Sequence, residues 1–243
     1  MSKILVCPIV FNEKNKLVSV IERFLKSGSR AYTDYLIIDD GSYDGSTEII
    51  RGYASRGVKT IKHPERLGVG NSIRTAIHYA GGQGYDILVI MAGNDKDNPN
   101  EIQRLIDPLC KKGYDFVQGS RYKGHEGAVG HMPYYRRVAT RIHPWLMSLI
   151  TGTRLTDSTN GFRAFKLSLF NDRRINIDQS WLDHYELEPY LFYKVVTLGY
   201  KFTEVPVTKI YPSKKLGYTK MRPFLGWWSI LKPLIYLGLK IKS

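Results

Sequence analysis

The chain has 243 residues, 43% of them hydrophobic and 24% charged, with two cysteines and a formal net charge of +14. That length suffices for one large domain, or one domain with an appendage, and the composition excludes a disordered chain and a disulfide scaffold. No stretch reaches the roughly 18 uncharged apolar residues of a spanning helix, and the basic excess points to nucleic acid, anionic lipid or phosphorylated ligands.

The first residues, MSKILVCPIVFNEK, place one lysine ahead of an apolar run broken by Pro8, so they read as a first strand (4–10) and not as a signal peptide. A helix follows with Leu17, Ile21, Phe24 and Leu25 on one face. YLIIDD (35–40) is a strand ending in carboxylates; the turn GSYDGS leads into a helix that Ser46 or Thr47 can cap. VKTIKH (58–63) and VGNSIRTAIHYA (69–80) are the next strand and helix. DILVIMAG (86–93) is the fourth strand, NPNEIQRLIDPLCKKG (98–113) the fourth helix and YDFVQGSRY (114–122) the fifth strand. The alternation predicts an α/β fold with a mainly parallel sheet flanked by helices. Ligands of such sheets bind outside the carboxyl ends of the strands. IIDDGS, VIMAGNDKD and VQGSRY all place polar residues at that edge.

The second half is less regular. GHEGAVGHMPYY (124–135) is glycine-rich, 136–151 is helical despite Pro144, and DSTNGFRAF (157–165) is a polar turn entering a strand. A helix over 184–199 and a strand over 200–210 complete the pattern. Cys7 and Cys110 fall in a strand and a helix, which favours a reducing cytosol over a disulfide or zinc framework. From Val205 onward there is no acidic residue, and the tail sets Phe224, Trp227, Trp228, Leu231, Leu234 and Ile235 among basic residues. This suits a helix lying in a membrane interface, kinked at Pro233; the alternatives are docking on the chain's own core or on another subunit. Basic and aromatic residues do not interleave across the sheet as nucleic-acid binding requires.

DDGSYDGS (39–46) pairs carboxylates at a strand end with glycines that allow a tight turn. Such carboxylates accept hydrogen bonds from a nucleobase or ribose, although a strand–turn–helix connection with a capping Asp uses the same residues. With FNE (11–13) upstream, the stretch resembles the nucleotide-binding signature of family 2 glycosyltransferases, which have the Rossmann-like GT-A fold. RLGVGNSIRTAI (66–77), GSRY (119–122), DSTNGFRAF (157–165), EVPV (204–207) and KKLGYTK (214–220) resemble, in order, the motifs of the dolichyl-phosphate mannose synthase group. The resemblance spans roughly residues 3 to 222 and implies a catalytic domain over 1–210. Residues 211–243 then form a basic phosphate-binding loop and an amphipathic, membrane-associated helix.

The resemblance implies a nucleotide-sugar site made by Pro8, Asn12, Glu13, Asp39, Asp40, Ser42, Arg66, Gly68 and Asn94, with Lys214 and Lys220 on the phosphates. MAGNDKDNP (91–99) stands where the family carries D-x-D, and alignment through Pro99 puts Ala92 and Asn94 at the two aspartate positions. Asp95, ahead of Asp97, is then expected to hold Mg²⁺ or Mn²⁺, which with a diphosphate needs only one or two protein carboxylates. The alternative is a turn capped by Asp97 or Asn98. Arg121 and Arg163 are candidates for the acceptor phosphate. Asp157 is the candidate for orienting the acceptor or acting as a weak base; Glu186 and Glu188 on the following helix are the alternatives, though they read more simply as helix-surface carboxylates. His125, His131, His143 and His184 lack metal-ligand spacing and read as loop or surface residues.

The implied activity is inverting, metal-dependent transfer of mannose from GDP-mannose to a polyprenyl (dolichyl-type) phosphate at the cytoplasmic face of a membrane. UDP-glucose as donor, a soluble glycan as acceptor, and a non-catalytic membrane-binding protein are the alternatives.

Overall fold

The computed structural model describes residues 2–124, 132–211 and 225–242. Lys214, Lys220, His125 and His131 lie outside them. Seven strands, β1 (Ile4–Val10), β2 (Asp34–Asp39), β3 (Val58–Lys62), β4 (Ile87–Ala92), β5 (Phe116–Ser120), β6 (Arg163–Lys166) and β7 (Phe202–Pro206), form one sheet in the order β3-β2-β1-β4-β6-β5-β7. All pairings are parallel except those of β6, which runs antiparallel to both β4 and β5.

The apolar runs are buried because helices cover both faces. Along β1, Leu5 and Cys7 join one core cluster while Ile4, Val6 and Val10 join the other, as side chains alternating across a strand must. The first cluster is completed by α3 (Val69–Gly82), α6 (Leu187–Thr197) and α7 (Leu225–Gly238), the second by α1 (Lys14–Leu25) and α4 (Ile102–Lys111). Pro8 sits inside this sheet. Its missing N–H shows in the register: β1 pairs with β4 continuously from Ile4 to Ile9, but with β2 only at Leu5, Val6, Ile9 and Val10.

One helix start differs from expectation, and another follows the stated alternative of a turn capped by Asn98. In α2 (Ser46–Gly52) neither Ser46 nor Thr47 is the cap; Gly45, at φ 95°, turns the chain and Asp44 Oδ1 accepts the Ser46 N–H at 3.0 Å. A 3₁₀ turn (Pro99–Glu101) precedes α4, with Asn98 Oδ1 accepting the Asn100 N–H.

The C-terminal helix packs on α5 (Tyr134–Thr151) and α6. Leu234 and Leu237 are core residues, Lys232 pairs with Glu186 at 2.8 Å, and Ser229 Oγ accepts the Tyr185 N–H. Its other side, with neighbouring α5, exposes Trp145, Leu149, Trp228 and Ile235. No helix among the described residues is long and apolar enough to cross a membrane.

Candidate active site

At the carboxyl ends of β1 and β2 the two loops are latched together. Asn12, held at φ 52°, donates its N–H to Ser42 Oγ (2.9 Å) and accepts the Tyr43 N–H on Oδ1 (3.0 Å). Asp39, fully buried, accepts the Ser42 N–H and the Thr47 hydroxyl. Asn12, Asp39 and Ser42 were expected to touch the nucleotide; their polar atoms hold the turn, and neither they nor Pro8 line the neighbouring cavity.

Asp40 does face the cavity. It accepts the N–H groups of Leu67 (2.9 Å) and Gly68 (3.0 Å), and His63 Nδ1 lies 3.0 Å away. Gly68 has φ 105°, and a Cβ there would fall 2.4 Å from the Asp183 carbonyl oxygen, so only glycine brings this backbone to Asp40. Arg66 lies over the Phe11 ring (4.3 Å), and Glu13 pairs with Lys16 (2.7 Å). Glu13, Asp40, Arg66, Gly68, Asn94 and Arg121 line one cavity of about 530 Å³, a volume suited to a small-molecule ligand.

The loop after β4 answers the question of the carboxylates. Asp95 has a left-handed backbone (φ 61°) that directs its side chain onto α1: Arg23 Nη1 donates to Oδ1 (2.6 Å) and Ser19 Oγ to Oδ2 (2.7 Å). Asp97, only 2% exposed, accepts the Ala92 N–H on Oδ2 (2.8 Å) and Lys209 Nζ on Oδ1 (2.6 Å). Neither lines the cavity. Asp95 or Asp97 was expected to hold the ion; each is paired instead with a basic side chain, and among the described residues there is also no group of three or more His, Cys, Asp or Glu side chains that could hold a metal ion. The residue between them faces the cavity. Lys96 is 4% exposed, with Nζ 5.2 Å from the centre of the Tyr211 ring. Burial, followed by the charges of Lys209, Arg136 and Lys16, pushes its pKa down to about 7. Asn94 Oδ1 is a buried acceptor without a hydrogen-bond partner among the described residues.

Asp157 has no exposed surface and its carboxylate is saturated: Arg121 Nε and Nη2 donate to it at 2.7 Å each, and the N–H groups of Arg121 and Thr159 donate as well. Burial alone would raise its pKa, but the Arg121 guanidinium holds it below the ordinary aspartate value. A carboxylate so held is a counter-ion that fixes Arg121 at the cavity, which does not suit the weak-base half of the expectation and is compatible with its acceptor-orienting half. Glu204 of β7 fixes the same loop by accepting the N–H groups of Thr156 and Asp157. Arg163, 1% exposed, is likewise not at the cavity: it donates to the carbonyls of Glu188 (3.0 Å) and Asn160 (2.7 Å) and stands 3.3 Å from Glu188 Oε1. It positions Glu188, which lines the cavity and is no surface carboxylate; Glu186 is buried against Lys232.

His143 is also interior. Its Nδ1 is 2.7 Å from Ser158 Oγ and its Nε2 3.1 Å from the Ile230 carbonyl, joining α5, the 158 loop and α7. Burial pushes its pKa down to about 4. His184 lines the cavity beside Gly68.

Sequence reasoning thus missed Lys96, Lys209, Tyr211 and Arg136 as wall residues and held Glu188 only as an alternative to Asp157. The strand-edge rule that selected the β2, β4 and β5 loops applies equally to Lys209 and Tyr211 beyond β7. Arg136, brought in by α5, has no local signal. The final wall is apolar and comes from α5 and α7, with Ile142, Trp227, Ile230 and Leu231.

Comparison with known proteins agrees with this geometry. The family model described as glycosyl transferase family 2 matches residues 6–174. Polyprenol monophosphomannose synthase of Mycolicibacterium smegmatis is 26% identical over 216 residues, 87% of this chain and 78% of that protein. Undecaprenyl-phosphate mannosyltransferase of Micrococcus luteus is 26% identical over 191 residues, 78% of this chain and 76% of that protein. Among solved structures, glucosyl-3-phosphoglycerate synthase from Mycobacterium tuberculosis, in complex with Mn²⁺, uridine diphosphate and glucosyl-3-phosphoglycerate, superposes with a TM-score of 0.67 at 17% identity, covering 100% of this chain and 81% of that one. At that identity the likeness is one of fold.

Proposed function

The chain belongs to glycosyl transferase family 2 and is a glycosyltransferase, and from that premise we propose that it moves a sugar from a nucleoside diphosphate donor to a polyprenyl phosphate, with inversion at the anomeric carbon. The names of the two mannosyl-transferring relatives support the acceptor class. The observation that carries the reading is the make-up of the cavity: carboxylates Glu13 and Asp40, then the cations Arg66, Lys96, Arg136 and Lys209, then an apolar wall from α5 and α7. That wall adjoins the exposed aromatic side of the same two helices.

The carboxylates suit the hydroxyl and N–H donors of ribose and base. An acceptor phosphate monoester, with a second pKa near 6, is largely dianionic at neutral pH and attacks without a strong base. This matches a site whose Asp157 is fixed as the counter-ion of Arg121. Catalysis then rests on positioning the two phosphates and on positive charge aimed at the leaving nucleotide. Lys214 and Lys220 remain candidates for the donor phosphates. The Mn²⁺ of the solved glucosyl-3-phosphoglycerate synthase complex supports a divalent cation as cofactor. In this chain Asp95 and Asp97, the carboxylates expected to hold such an ion, are paired with Arg23 and Lys209 and do not line the cavity.

Mannose from GDP-mannose is the favoured donor, at the cytoplasmic face of a membrane that the α5–α7 side engages peripherally. Radiolabel transfer from GDP-mannose and from UDP-glucose to a short polyprenyl phosphate tests this. Labelled lipid from one donor supports the reading and identifies the sugar. Transfer to a soluble glycan but to no lipid phosphate refutes the acceptor assignment.

A further inference from the structure

The loop after β4 presents to the cavity a lysine where the resemblance calls for carboxylates. Asp95 is turned out onto α1 and Asp97 is turned under the loop to Ala92 and Lys209. Three cations are gathered on this wall. The Tyr211 ring has Lys96 Nζ 5.2 Å from its centre on the one hand and the Arg136 guanidinium 6.0 Å from it on the other. Lys209 reaches the same wall from beyond β7, braced by Asp97 and by Asn160 Oδ1 (3.0 Å). Lys96 and Lys209 are buried and Arg136 is half-buried, with Lys209 already paired to Asp97, and an anion of two or more charges placed among the three lowers their mutual repulsion. A lysine ammonium is a compact point charge with three donors, suited to non-bridging phosphate oxygens.

We propose that Lys96, together with Lys209 and Arg136, binds the diphosphate of the sugar donor directly and supplies the positive charge that a carboxylate-held divalent cation would otherwise supply, so that donor binding needs no divalent metal ion. The proposal rests on the sugar-nucleotide reading and names the source of charge at that site. In the step it serves, the acceptor's phosphate oxygen forms a bond to the anomeric carbon as the bond from that carbon to the donor's β-phosphate oxygen breaks. The bonding pair leaves with the nucleoside diphosphate, no proton is transferred, and the charge appearing on the β-phosphate falls on the ammonium of Lys96.

The test is equilibrium binding of GDP, UDP, guanosine and uridine to the full chain, measured by calorimetry in EDTA and then in Mg²⁺ or Mn²⁺. Wild type is compared with Lys96→Gln and Lys96→Arg. Manganese resonance spectroscopy on the wild type with nucleotide counts the ion taken up. The expected result is one nucleoside diphosphate binding with the same affinity, within about twofold, in EDTA and in Mn²⁺, with no Mn²⁺ immobilised beyond what free nucleotide binds. Lys96→Gln is expected to weaken that binding about tenfold or more while leaving the matching nucleoside unaffected, and Lys96→Arg to restore most of it. Binding that is lost in EDTA and regained with Mn²⁺ overturns the proposal while leaving the donor reading intact. Equal diphosphate affinity in wild type and Lys96→Gln does the same. Failure of both GDP and UDP to bind under every condition overturns the donor reading with it.

Discussion

Replacing Asp157 with alanine separates a structural carboxylate from a catalytic one. The Arg121 side chain is 4% exposed and that of Asp157 0%, and the two share a bidentate pair with both contacts at 2.7 Å. Removing one partner of such a pair strands the other charge away from water, at a cost of about 3–5 kcal/mol. For a chain of this size each kcal/mol lowers Tm by about 2–4 °C, so the expected drop is roughly 6–20 °C. Asp157→Ala/Arg121→Met removes the stranded charge and should recover part of the loss. It cannot recover all of it, because the N–H groups of Arg121 and Thr159 also donate to Asp157, and each buried orphan donor costs about 1–3 kcal/mol. The pKa of Asp157 is depressed in the fold, so its stabilisation is complete above the ordinary aspartate value of about 3.9 and is lost only as pH falls below it. Urea unfolding followed by circular dichroism gives the free energies, and transfer activity at a temperature where both variants are folded gives the function. A stability loss under about 1 kcal/mol with transfer abolished would refute the counter-ion assignment and return Asp157 to the chemistry.

His143 is held neutral with a pKa of about 4, so between that value and about 6.5 the unfolded chain binds the proton and the folded chain does not. Stability should therefore fall by up to about 3 kcal/mol as pH drops across this window, and His143→Gln should flatten that part of a urea-unfolding pH profile. Asp95→Asn should leave donor affinity unchanged and cost only about 0–1 kcal/mol, since its pair with Arg23 is 24–32% exposed; loss of nucleotide binding by calorimetry would mean that this loop turns over when donor arrives. Trp145→Ser/Trp228→Ser, at residues 59% and 48% exposed, should leave Tm within a few degrees and reduce co-sedimentation with phosphatidylglycerol vesicles several-fold. Unchanged sedimentation would remove the α5–α7 side as the membrane contact.

Much of the scaffold could be read along the chain because it is local. Period-two and continuous apolar runs placed six of the strands, and strand-end polarity located the ligand edge. Asp40 was legible as a strand-end carboxylate, while Glu13, Arg66 and Gly68 were legible through the motifs FNE and RLGVGNSIRTAI that carry the family resemblance. β6, four residues long, is the insertion that local patterning does not reveal as antiparallel, because its direction is set by the long return from α5 and not by its own composition.

The amino-acid sequence by itself determined the order of elements, the two-sided burial of the sheet and the edge at which the site lies, since these follow from side-chain alternation and turn chemistry within a few residues. Tertiary structure alone decided which charges are available there. Asp97 meets Lys209 across 112 residues and Asp157 meets Arg121 across 36, and His143 is made interior by α7, 87 residues away. A carboxylate in a motif is a ligand or a counter-ion according to which cation folds against it. That is a matter of distance in space, over which Coulomb attraction and desolvation act, and spacing along the chain does not encode it.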